Sequence, residues 1–103
     1  MNQEEFNKTF ESRVDSCRRI LISKNTEYAR GGDKVSNFKK AAGMQLCHPA
    51  KALQGMMAKH QVSIVDMIND FELGITHSQK QWDEKINDAL NYLFLLDAVI
   101  KDK

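Results

Sequence analysis

SQKQWDEKINDALNYLFLLDAVI, residues 78–100, carries the clearest structural signal in the chain. Ser78 and Gln81, three residues apart, form a capping box, in which each side chain satisfies a backbone N–H left open at a helix start. Trp82, Ile86, Ala89, Leu93, Leu96 and Ile100 then recur within one helical stripe. Leu90, Phe94, Leu95 and Val99 carry apolar character well round the circumference. A helix that is apolar on most sides must be covered on most sides. We therefore expect a long last helix reaching about Ile100, wrapped by the other helices and by a second subunit.

The preceding segments also read as helix. Asn2, with Glu5 three residues on, caps a first helix expected from about Gln3 to Tyr28, with Phe6, Phe10, Val14, Cys17 and Leu21 as its apolar face. Ala29-Arg30-Gly31-Gly32-Asp33 breaks it, because paired glycines tolerate positive φ and disfavour helix. Asp33 or Ser36 opens a short second helix carrying Val35, Phe38, Ala41 and Ala42, expected to stop at Gly43. His48-Pro49 starts a third helix, since proline costs nothing at a first helical position. Its expected buried face is Leu53, Met56, Met57, Ile64, Met67, Ile68 and Phe71, and Gly74 ends it. Ser63, followed by Asp66, offers a second cap, so a break is expected near Val62. The fold class is all-α, with about four helices in one domain over residues 1–103.

A chain of 103 residues supports one core and buries only about two-thirds of its unfolded surface, which makes self-association a common supplement. The net charge of +1 argues against a protein that coats a nucleic-acid polymer. No stretch reaches the ~18 apolar residues of a membrane span, and the acidic, polar Met1–Glu5 segment is unlike a signal peptide. Cys17 and Cys47, both expected on helices, lack metal-binding spacing and read as reduced thiols of a cytoplasmic protein. Charge is unevenly spread. Residues 34 to 65 contain no Asp or Glu but carry Lys34, Lys39, Lys40, Lys51 and Lys59, whereas eight acids follow between Asp66 and Asp102. This is either internal charge balance or a cationic pocket for a phosphorylated ligand beside carboxylates.

Three clusters carry candidate chemistry. Glu84, Asp88, Asn91 and Tyr92 share a face of the last helix, roughly opposite the Trp82–Ile86–Leu93 stripe. Two carboxylates one turn apart can hold a divalent ion or accept hydrogen bonds from a base, and the amide and phenol suit base or sugar. Lys59 and His60 offer a charge and a ring N–H to phosphate. Lys24, Glu27, Tyr28 and Arg30 precede the glycine turn, and Asn37, Phe38, Lys39 and Lys40 follow it, an arrangement suited to a phosphate or a stacked base. For each cluster the alternative is an ordinary solvated helix surface. Neither a P-loop nor an HExxH motif occurs.

The runs Ser23–Tyr28, Val35–Lys39, Gly55–Ser63 and Glu84–Leu93 resemble those of small phage and prophage proteins similar to the all-α MazG-like nucleotide pyrophosphohydrolases. The resemblance spans roughly residues 18 to 100. It implies an antiparallel helical bundle assembled as a dimer or higher oligomer, with nucleotide held between helices. Those hydrolases hold Mg²⁺ on four carboxylates, from an EExxE-type motif on one helix and ExxD on the next. Here the helix that should supply the first motif, the third of the chain, carries Lys59, His60, Val62 and Ser63, with no acid before Asp66. In the second motif Asp88 matches, while Lys85 takes the place of the acid, and Glu84 lies one residue further back.

The expectation is therefore a cytoplasmic protein, in the host cell if phage-encoded, that captures a nucleotide or cyclic nucleotide without a cofactor. By that analogy it would act as a sponge for a second messenger of host antiviral defence. The site would comprise Lys24, Tyr28, Asn37, Phe38, Lys39, Lys59, His60, Glu84, Asp88, Asn91 and Tyr92. One alternative is a Mg²⁺-dependent nucleoside triphosphate pyrophosphohydrolase with metal on Glu84 and Asp88. The other is a helical protein-interaction module.

Overall fold

A computed structural model describes residues 1–23 and 32–102, and four helices lie among them. They are α1 (Gln3–Ser23), α2 (Ser36–Gln45), α3 (Pro49–Glu72) and α4 (Gln79–Lys101). No strand occurs among the described residues, and none of their helices is long and apolar enough to cross a membrane.

Local chemistry sets most of the boundaries. At α1 the Glu5 N–H donates to Asn2 Oδ1 at 2.9 Å, and the Asn2 N–H faces Glu5 Oε2 at 3.4 Å. At α4 the Gln81 N–H donates to Ser78 Oγ at 3.1 Å, and the Ser78 N–H to Gln81 Oε1 at 2.9 Å. α3 opens on Pro49, with His48 Nδ1 accepting from the Ala50 N–H at 3.0 Å. After α3, Gly74 turns left-handed at φ 79°, a conformation glycine adopts without penalty.

Several expectations are corrected. α2 passes Gly43 and ends at Gln45, because Leu46 adopts the left-handed conformation (φ 55°) and Cys47 N–H bonds back to the Ala42 carbonyl. Cys47 thus lies in a turn, not on a helix. α3 is unbroken past Val62, since Ser63 Oγ donates to the Lys59 carbonyl at 3.0 Å instead of capping a new start. The expected extension of the first helix to Tyr28 lies outside the described residues. Phe6 and Phe10 are exposed and stack on each other, with ring centroids 6.5 Å apart. Ile68 and Phe71 of α3 are exposed too.

α3 and α4 run antiparallel: Phe71 meets Trp82 edge-on near the connecting turn, and His60 lies beside Asp88 and Tyr92 further along. α2 packs across the first half of α3, and the core gathers where they meet α4, at Val35, Phe38, Leu53, Met57 and Val99. α1 runs parallel to α4 and is fastened to it by a polar cluster. Arg13 donates to Asn87 Oδ1 at 2.8 Å and to Asp83 Oδ1 at 2.7 Å, and Asn87 Nδ2 donates to Ser16 Oγ at 2.9 Å. Cys17 Sγ sits 3.6 Å from Asn87 Oδ1. The hydrogen bonds from Gln79 and Arg13 hold the Asp83 carboxyl below its usual range, while burial pushes the Cys17 thiol up. This fastening brings the second half of α1 over the end of the bundle where the candidate site lies.

Candidate functional site

A cavity of about 350 Å³ lies between the four helices. Its walls are mainly apolar: Ile20 and Leu21 from α1, Phe38, Ala41 and Met44 from α2, Met56 from α3 and Leu95 from α4. Polar groups enter from two sides. Asp88, Asn91 and Tyr92 come from α4, where spacings of three and four place them on one face. Lys34 comes from the turn before α2, and Asn37 and Lys40 from α2 itself. Size and lining both match those of small-molecule sites, which are apolar concavities with a few polar groups that fix orientation.

Asn91 is the most informative residue. It is 6% exposed, yet its Oδ1 accepts no hydrogen bond among the described residues. A buried acceptor left in this state costs about 1–3 kcal/mol, a cost that a donor from a ligand would remove. Asp88 lies one turn away, with Oδ2 3.6 Å from His60 Nδ1. The His60 ring also packs against Tyr92, at 5.1 Å between centroids. His60 is not in the cavity wall but supports two residues that are.

The cations divide by role. Lys34 Nζ donates to the Leu21 carbonyl at 2.8 Å, which ties the turn before α2 to the end of α1. Lys39 bridges Asp33 Oδ2 at 2.7 Å and Asp102 Oδ2 at 2.8 Å. The hydrogen bonds to Asp102 and Asp33 push its pKa up to about 12. Lys39 therefore clamps α2 to the residue that follows α4 and does not line the cavity. Lys40, exposed on the next 100° of the helix, has no carboxylate partner among the described residues and lines the cavity. Lys59 is exposed and does not line it.

Of the expected site, then, Asn37, Phe38, Asp88, Asn91 and Tyr92 converge, with His60 just behind. Glu84 opens instead into a neighbouring cleft of about 330 Å³ with Asp66, Asp70 and His77, where His77 Nε2 meets Asp70 Oδ2 at 2.8 Å. Glu84 and Asp88 thus face different clefts. Among the described residues no three His, Cys, Asp or Glu side chains are grouped to hold a metal ion. Lys24 and Tyr28, with Glu27 and Arg30, lie outside the described residues. The lining residues not placed in the expected site are Lys34, Lys40, Ala41, Met44, Met56, Leu95 and the α1 wall. For α2 a signal existed, since 34, 37, 38, 41 and 44 follow helical spacing. Comparison with family models, curated proteins and solved structures finds no match to this chain.

Proposed function

We propose that this chain captures a phosphorylated nucleotide in the four-helix cavity and releases it unchanged. The observation that carries this reading is Asn91, a buried amide with an unsatisfied oxygen in the wall of an apolar cavity. A nucleobase suits such a site: its faces are apolar and its edges are polar. Phe38 and Tyr92 supply aromatic surface for it, and Lys40 at the cavity wall supplies charge for phosphate. Capture is favoured over hydrolysis because Asp88 is the one carboxylate lining the cavity among the described residues. Metal-assisted attack on a pyrophosphate draws on several acids to hold the ion. For a chain that resembles small phage proteins, capture without turnover suits the sequestration of a nucleotide second messenger.

The capturing unit is a homo-oligomer. A folded monomer of 11.8 kDa exposes roughly 5,900 Å², whereas this chain exposes 7,535 Å². The excess, on the order of 1,600 Å², falls in the range that each subunit of an obligate oligomer covers. Its radius of gyration is 15.8 Å, against about 13 Å for a closed domain of this length. Leu93 and Ile100 on α4 and Val62 and Val65 on α3 are more than half exposed. Helical spacing puts Leu93 and Ile100 roughly opposite Asn91, and Val65 opposite Met56, away from the cavity. A second copy laid on this back face would cover the apolar surface and leave the site open.

Native mass spectrometry of protein passed through a nucleotide-rich lysate tests both points. The expected species is a dimer or larger assembly carrying an intact nucleotide mass. A monomer contradicts the assembly, and an assembly that stays empty contradicts capture. Leu93→Glu is expected to give monomers in sedimentation while retaining the nucleotide, because burying an unpaired charge at the contact costs several kcal/mol.

A further inference from the structure

We infer that the base taken by this cavity is guanine-like, with two adjacent N–H donors on one edge. The inference rests on nucleotide capture and names the ligand class of that site. Asp88 is the group that discriminates. An ionised carboxylate only accepts hydrogen bonds, and it accepts two in parallel when two donors are presented side by side. No donor among the described residues reaches Asp88 within hydrogen-bond distance. The His60 ring stands beside it without reaching it, with Nδ1 3.6 Å from Oδ2. The carboxylate is 38% exposed, so it is open to an entering ligand.

The ring N–H and exocyclic amine of guanine are adjacent donors with no lone pair between them. Adenine and cytosine each set a bare ring nitrogen beside their amine, which would point a lone pair at the carboxylate. Uracil has a single N–H flanked by two carbonyls. Asn91, one turn further along α4, completes the match: an amide has a donor end and an acceptor end, and its last torsion is soft. It can therefore accept from the remaining amine hydrogen or donate to the base carbonyl. Either contact satisfies an amide that the protein leaves incomplete. Phe38 and Tyr92 line the same cavity and offer the ring faces a surface.

Titration calorimetry with GMP, IMP, AMP, CMP and UMP tests the assignment on the wild-type protein and on Asp88→Asn. In the wild type GMP should bind about ten- to a hundredfold more tightly than AMP, the worth of one charge-assisted hydrogen bond. IMP, which keeps the ring N–H but lacks the amine, should fall between them. In Asp88→Asn, whose amide pairs one acceptor with one donor, the preference should move toward AMP. Wild-type binding that is equal for GMP and AMP, or tighter for AMP, overturns the guanine assignment and leaves capture standing. An unchanged GMP preference in a folded Asp88→Asn overturns it too. If none of the five binds, nucleotide capture itself falls, and this assignment with it.

Discussion

Asn87→Ala should unfasten α1 and weaken nucleotide capture with it, although Asn87 does not line the cavity. Asn87 is 4% exposed and holds three partners from α1: it accepts from Arg13 at 2.8 Å, donates to Ser16 at 2.9 Å and sits 3.6 Å from Cys17 Sγ. Deleting the amide leaves polar groups in a partly buried seam with fewer partners, at about 1–3 kcal/mol for the group left worst satisfied. The loss concentrates on α1, because α2, α3 and α4 share their own apolar core. Ile20 and Leu21, one turn beyond this seam, form the α1 wall of the cavity. Chemical denaturation should show a loss of about 2 kcal/mol, and nucleotide affinity should fall about tenfold or more. Asn87→Asp keeps the acceptor for Arg13 and loses only the donor to Ser16, so its effect should be smaller.

Leu53→Ala should have the largest effect on stability. Leu53 is 0% exposed and lies at the centre of the core, with Val35 and Phe38 on α2's side and Val99 on α4. Removing a buried leucine side chain costs about 2–5 kcal/mol, from lost transfer energy plus the cavity left behind. A domain of this length has only about 5–15 kcal/mol in total, and each 1 kcal/mol shifts Tm by roughly 4–8 °C. A drop of at least ~10 °C is expected by calorimetry. A shift under ~3 °C would mean that the three-helix core does not bear the stability assigned to it.

The helical architecture was legible in the sequence wherever a boundary had its own chemistry. Asn2 with Glu5, Pro49, Gly74 and Ser78 with Gln81 all mark ends by local hydrogen bonding or backbone preference. The end of α2 was not legible, because a leucine takes the left-handed position that glycine or asparagine more often fills. Phe6, Phe10, Ile68 and Phe71 share the periodicity of buried positions, but spacing identifies a face without saying whether anything in the same chain covers it. The site followed the same rule. Asp88, Asn91 and Tyr92 meet because one helix face holds them. Glu84 keeps that spacing yet lies a turn too early and opens into the next cleft. Lys39 and Lys40 look alike in sequence, and the difference comes from Asp102, some sixty residues away, which claims the first and leaves the second at the cavity.

Closing the cavity without touching its polar groups is the most direct test of capture. Ala41 lines the cavity from α2, and Ala41→Trp would place an indole in the space of about 350 Å³. Equilibrium dialysis against ATP, GTP, CTP and UTP should show saturable binding of at least one nucleotide to the wild type. The same nucleotide should show no measurable binding to a folded Ala41→Trp variant with an undiminished Tm. If no nucleotide binds the wild type, or if Ala41→Trp binds as tightly as the wild type, the cavity is not a nucleotide site.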